Sequence, residues 1–141
     1  MNLLLKTNSP FTIHNSQLNI TGSKSETNRL LLLQALFPNI TLENTSNSDD
    51  SEVMQKALDN SQFTIDNSQL VDIHHAGTAM RFLTAFFAVN EGREVVLTGS
   101  QRMTERPIKV LVEALQQLGA QISYENEEGY PPIRIKGQRI I

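Results

Sequence analysis

Gly22-Ser23-Lys24-Ser25-Glu26-Thr27-Asn28-Arg29 runs straight into Leu30-Leu31-Leu32-Leu33, placing a glycine turn, two hydroxyls and two cations at the entrance of an apolar segment. The pattern predicts a helix from about Ser25 to Leu36, stopped by Pro38. Leucines fall on nearly every side of it, and a helix without a polar face is expected to be buried all round. Its first backbone N–H groups have no partner within the helix, and the macrodipole makes that end positive. The entrance therefore reads as a grip for phosphate or carboxylate. Ser25 and Arg29, four apart, share one helical face, and Lys24 adds mobile charge. Taken singly, the same residues also read as surface decoration of a helix entrance.

Working outward, Gln17-Leu18-Asn19-Ile20 alternates polar with apolar as a short strand would, and Ile40 to Glu43 reads as the next strand. Ser48-Asp49-Asp50 supplies an N-cap and an acidic first turn. Glu52 stands three after Asp49 as in a capping box, and the helix runs to about Leu58. Short strands near Phe63-Thr64-Ile65 and Leu70-Val71-Asp72-Ile73 flank the turn residues Asp66-Asn67-Ser68.

The second half repeats this order. Ala76-Gly77-Thr78 opens an apolar helix that continues to Val89, and Val95-Val96-Leu97 is the following strand. Ile108, Leu111, Val112, Leu115 and Leu118 mark an amphipathic helix, with Gly119 where a left-handed C-terminal cap belongs. Gln121 to Tyr124 and Ile133 to Ile135 are strands joined by Glu128-Gly129-Tyr130-Pro131-Pro132. Aligning Gly22 with Gly77 and Thr41 with Val96 gives one offset of 55 residues. The chain is thus expected to hold two β-α-β-α-β-β units, about 17–73 and 74–137, with coincidence as the lesser alternative. Gln138-Arg139-Ile140-Ile141 reads as the start of a further strand, as if the architecture continued. A two-unit protein with an exposed edge is the other reading.

Length and composition bound the function. At 141 residues and 39% hydrophobic content, one globular body is expected. The net charge is −3, with 12 Lys+Arg scattered among 15 Asp+Glu, so nucleic acid is not an expected partner. There is no cysteine, which excludes disulfides, thiolate nucleophiles and Cys-based metal sites and suits a reducing compartment. Leu3-Leu4-Leu5 is broken at once by Lys6, so neither a signal peptide nor a membrane partner is expected, and the reading is cytoplasmic.

Two further basic segments accompany the first. In His75-Ala76-Gly77-Thr78-Ala79-Met80-Arg81, Gly77 permits close approach to backbone and Thr78 can cap or donate. In Arg102-Met103-Thr104-Glu105-Arg106-Pro107 the arginines, four apart, either share a ligand or pair with surface acids. If the two apolar helices lie side by side, their positive ends face one region that collects Lys24, Arg29 and Arg106, a place for a small polyanion. No metal is expected: His74 and His75 point to opposite sides of an extended chain, and no third ligand is clustered with them. Asp49-Asp50 is accounted for by capping, and a nucleotide P-loop fails because only one glycine precedes Lys24.

Three motifs, Gly22-Ser23-Lys24-Ser25 with Asn28-Arg29, Ala76 to Arg81, and Leu97-Thr98-Gly99 with Arg102-Met103 and Glu105 to Ile108, resemble the N-terminal part of the 5-enolpyruvylshikimate-3-phosphate (EPSP) synthase family. Ser48-Asp49-Asp50 and Tyr130-Pro131-Pro132 agree. The resemblance implies an enolpyruvyl transferase fold, an inside-out α/β barrel whose two domains each hold three such units. Here two units of one domain are present, making a partial N-terminal domain over 1–141 without its partner. It implies a transferase, 3-phosphoshikimate 1-carboxyvinyltransferase. The reaction moves the enolpyruvyl group of phosphoenolpyruvate to the 5-hydroxyl of shikimate 3-phosphate for aromatic amino-acid biosynthesis, by addition and elimination through a tetrahedral intermediate. It implies no cofactor and no metal, a monomeric parent, and a pocket that accepts glyphosate.

By the same likeness Lys24 touches both substrates, Ser25 and Arg29 hold shikimate 3-phosphate, and Gly77 and Arg106 line the phosphoenolpyruvate site. The carboxylate base, further arginines and a second lysine of the family belong to the part not present. No complete catalytic set is therefore expected here, and the fragment alone is expected to be inactive. Departures from the family pattern are Thr21 in place of a proline, His74-His75 in place of Gly-Asn, and a shorter stretch between Asp50 and His74. The related transferase acting on UDP-N-acetylglucosamine fits less well, since it has different entrance motifs and commonly a reactive cysteine. The alternative from another class is a non-catalytic small-anion-binding module.

Overall fold

Residues 20–59, 64–65 and 68–139 are described by the structure, a computed structural model. Helix α1 (Lys24–Leu36) starts where Ser23, in extended backbone, accepts from the Glu26 N–H, and it ends where the Phe37 N–H returns to the Leu33 carbonyl just ahead of Pro38. Helix α2 (Asp49–Leu58) is capped by Ser48, whose side chain accepts from the Ser51 N–H. Its first turn carries Asp49, Asp50 and Glu52 and its last turn Lys56, the charge order the macrodipole favours. The expected Asp49/Glu52 box is one residue out of register. Ser48 is the cap, so Ser51 holds the third helical position, and its hydroxyl meets Ser48 Oγ at 3.1 Å.

The remaining elements are β1 (Thr64–Ile65), β2 (Ser68–Asp72), α3 (Gly77–Val89), β3 (Glu94–Thr98), α4 (Gln101–Thr104), α5 (Lys109–Gln117), β4 (Gln121–Tyr124) and β5 (Ile133–Lys136). They form a five-stranded sheet in the order β1-β2-β3-β5-β4. Only β2 and β3 run parallel, and they are joined through α3 as a β-α-β unit; the other neighbours are antiparallel. Period-two alternation sends Val71, Val95, Leu97, Ile133 and Ile135 to one face, where each is fully buried. Met80, Leu83 and Phe87 of α3 pack against that face, with Met54 and Ala57 of α2 and Val112 of α5 closing the core. On the opposite face Arg134 of β5 donates to Glu94 (2.8 Å), Ser68 Oγ (2.6 Å) and Glu125 (2.8 Å), tying β2, β3 and β5 together. The hydrogen bond from Arg134 holds the Glu94 carboxyl below its ordinary range.

The structure corrects four expectations. The stretch Ile40 to Glu43 is irregular, because its ladder groups are engaged elsewhere. The Ile40 N–H goes to the Phe37 carbonyl (3.0 Å), the Ile40 carbonyl accepts from the Gln34 amide (2.9 Å), and Asn44 turns into the left-handed region at φ 52°. Helix α1 is not buried on every side. Only Thr27, Asn28 and Leu31 are buried, while Leu33 is 43% and Leu36 52% exposed, since α1 flanks the core and α3 fills it. His74 is not extended but sits in a left-handed turn at φ 48°. Arg102 lies on a separate helical turn, α4, ahead of α5, and Leu118 is exposed beyond the end of α5, where Gly119 at φ 99° makes the expected left-handed cap. The predicted strand at 17–20 lies outside the described residues except for Ile20, which is irregular. The same holds for Phe63, for Asp66 and Asn67, and for Ile140 and Ile141.

Candidate functional site

The parallel pair β2 and β3 ends in register, Asp72 beside Thr98, and both chains then turn toward the same side. In open α/β sheets the crevice beyond such carboxyl ends is where ligands bind. The turn out of β2 is held from several directions. The Ile73 N–H donates to the Thr98 carbonyl (3.0 Å), the Ala76 N–H to the Ile73 carbonyl (3.0 Å), the His74 N–H to Asp72 Oδ1 (2.8 Å) and the Ser100 N–H to the His74 carbonyl (2.8 Å). Helix α3 therefore begins at a fixed point. Its cap, Ala76, makes no side-chain hydrogen bond to the first turn, which carries the positive end of the dipole.

The entrance of α1 is brought beside that point by a polar lattice. The Gly22 N–H donates to the Asn44 carbonyl (3.0 Å), the Ser46 N–H to Thr27 Oγ1 (3.0 Å), and the Ser51 hydroxyl to Asn28 Oδ1 (2.9 Å). Thr27 and Asn28 are buried, and they lock the first turn of α1 to the loop before α2 and to α2 itself. Two helix entrances and the start of α2 thus meet at one place.

Between them lies a cavity of about 520 Å³. Four of the five residues singled out from the sequence line it: Lys24 and Arg29 from α1, Gly77 from α3, and Arg106 from the segment after α4. The fifth, Ser25, is not in the wall. It acts on Arg29 instead, accepting the guanidinium through its hydroxyl and, at 2.7 Å, through its carbonyl. Phe82 also carries Arg29, whose guanidinium carbon stands 5.5 Å from the ring centroid. Gly77 is needed for space, because a Cβ there would stand 2.5 Å from Arg106 Nη1.

The sequence reading gave no site role to Arg81, Asp50 or Phe82, took Thr78 only as a possible cap or donor and His75 only as a departure beside the phosphoenolpyruvate site, yet all five line the cavity. Arg81 donates to the Gly77 carbonyl at 3.2 Å, so its spacing of four from Gly77 was the available signal. Asp50 had been accounted for by capping, but its carboxylate also meets the Lys24 ammonium at 3.3 Å. Lys24, Arg29, Arg81 and Arg106 against Asp50 leave the wall at +3. Cations around a hollow of this size suit small molecules with phosphate or carboxylate groups and negative charge that develops on them. Arg102 and Arg106 meet at a smaller neighbouring cavity of about 120 Å³, together with His75 and Met103. Among the described residues no helix is long and apolar enough to cross a membrane.

The family model for EPSP synthase (3-phosphoshikimate 1-carboxyvinyltransferase) matches residues 39–141. A 3-phosphoshikimate 1-carboxyvinyltransferase of Bacteroides fragilis (strain YCH46) is 44% identical over 122 residues, covering 86% of this chain and 28% of its own length. One from Buchnera aphidicola subsp. Baizongia pistaciae is 40% identical over 149 residues, covering 91% of this chain and 35% of its own. The chain thus spans about a third of the length of these relatives. Among solved structures, EPSP synthase from Acinetobacter baumannii shares the fold, an inside-out α/β type, at a TM-score of 0.66 and 21% identity, over 86% of this chain and 32% of that one.

Proposed function

Because this chain belongs to the EPSP synthase family, we propose that its basic cavity is the share of an enolpyruvyl transfer site that this part of the polypeptide supplies. The substrates are phosphoenolpyruvate and shikimate 3-phosphate, and the reaction serves aromatic amino-acid biosynthesis. One observation carries the reading: Lys24, Arg29, Gly77 and Arg106, from three separate segments, line one hollow. In this assignment Lys24 touches both substrates, Arg29 holds shikimate 3-phosphate with Ser25 orienting its guanidinium, and Gly77 and Arg106 take the phosphoenolpyruvate end. Positive groups fixed in advance around phosphate and carboxylate are what an addition–elimination through a tetrahedral intermediate requires.

The rest of the reading follows the same line. The described cavity offers anion contacts, and the relatives are about three times as long as the stretch they share with this chain. We therefore assign binding to these 141 residues and turnover to a longer polypeptide. That polypeptide is read as a cytoplasmic monomer, made of units of the kind read at about 17–73 and 74–137, whose completed pocket accepts glyphosate.

Calorimetric titration of shikimate 3-phosphate into the chain tests the assignment. Saturable binding is expected, weakened about tenfold or more by Lys24→Met, since a hydrogen bond from a charged group contributes about 1.5–3 kcal/mol. Equal heats for the two proteins contradict the role given to Lys24.

A further inference from the structure

His75 lines three cavities at once. It borders the basic hollow beside Lys24, Arg81 and Arg106, the small hollow beside Arg102, and a third of about 320 Å³ on the flank of α2. The third is walled by Asp49, Asp50 and Glu52 together with Lys56. The residue thus stands in the partition between a cationic site and an acidic flank, on the turn that four backbone N–H groups hold in place. Neighbouring His74 lines the flank cavity, and Asp72, at the end of β2, accepts from the His74 N–H.

We propose that His75 is a proton-dependent anion contact of the basic cavity, an imidazole that takes up a proton as a phosphate- or carboxylate-bearing ligand enters. The proposal rests on the anion-binding part of the functional reading. Histidine is the side chain whose ordinary titration falls near neutral pH. In an empty cavity Lys24, Arg29, Arg81 and Arg106 of the basic hollow, Arg102 of the small one and Lys56 of the flank stand against Asp49, Asp50 and Glu52 around this position. A dianion lodged among the four cations of the basic hollow cancels much of their field and shifts the balance toward the carboxylates of α2, which favours the imidazolium. The imidazolium then donates to the anion. Binding and protonation are reciprocal: whatever factor the ligand adds to protonation, the proton adds to ligand affinity. The site would therefore hold its ligand more tightly in mildly acidic solution.

Sulfate is the probe, because its own charge does not change between about pH 5.5 and pH 8, where histidine titrates. Its affinity for the full chain is measured at both ends of that range for wild type, His75→Gln and His75→Asn, with His74→Gln and His14→Gln as controls for the other two histidines and thermal unfolding as the check on folding. Wild type and both control variants are expected to bind about three- to tenfold more tightly at the acidic end. His75→Gln and His75→Asn are expected to bind equally at both. A wild-type affinity that does not change with pH, a His75 variant that keeps the slope, or no sulfate binding at all overturns the proposal. Sulfate binding that shows the slope but resists competition by shikimate 3-phosphate or phosphoenolpyruvate supports the role of His75 and contradicts the proposed function.

Discussion

Replacing Gly77 with alanine is expected to leave the fold standing and to remove about ten- to a hundredfold of the cavity's affinity for phosphoenolpyruvate. The added methyl would stand 2.5 Å from Arg106 Nη1. That neighbour is the far end of a flexible, exposed side chain, so the clash is relieved by swinging the guanidinium away and backbone need not move. Stability is not expected to fall, because alanine is the better helix former by about 0.5–1 kcal/mol. What is lost is position. A displaced Arg106 no longer converges with Lys24 on one ligand, and a charge-assisted hydrogen bond contributes about 1.5–3 kcal/mol, which sets the expected range. Calorimetry beside a thermal melt separates the two effects. Unchanged affinity, or a melt that collapses, contradicts this account of Gly77.

Gly22→Ala is expected to do the opposite, damaging the scaffold first. A Cβ at residue 22 would overlap the Asn44 carbonyl oxygen, the very atom that accepts the Gly22 N–H at 3.0 Å. Both partners are backbone, so no side chain can swing aside. Either the entrance of α1 shifts or the segment ahead of α2 does, and the lattice through Thr27, Asn28 and Ser51 shifts with it. Overpacking of this kind costs about 1–3 kcal/mol, which for a domain of this size lowers the unfolding midpoint by on the order of 10 °C at the upper end. Anion binding falls as well, because Lys24 is carried on the displaced turn. A melt within a degree or two of wild type would show that the Gly22–Asn44 contact does not hold the entrance.

The parts of the fold that were legible in the sequence are those specified by neighbouring residues alone. Ser48 capping α2, Gly119 closing α5, and the alternation through Val95 and Leu97 each depend on a few consecutive side chains. Four of the five site residues were legible for the same reason, since a glycine and a cation at a helix entrance announce themselves locally. The remainder depends on tertiary partners. Leucines of α1 are apolar whether or not anything covers them, so composition could not reveal that Leu33 and Leu36 stand exposed. Val and Ile preferences cannot report that the carbonyl of Ile40 is already taken by Gln34. Asp50 fits a helix cap so well that its second task, facing Lys24, was hidden until α1 and α2 were seen side by side. Likewise His75 enters the site only because the turn after β2 is anchored to the end of β3.

Following backbone amide resonances during titration with phosphoenolpyruvate tests the central claim most directly, that two helix entrances serve one ligand. The amides of Lys24 and Ser25 at the start of α1 and those of Gly77 and Thr78 at the start of α3 are expected to shift together, with one midpoint. Movement confined to one of the two entrances, or two separate midpoints, would contradict it.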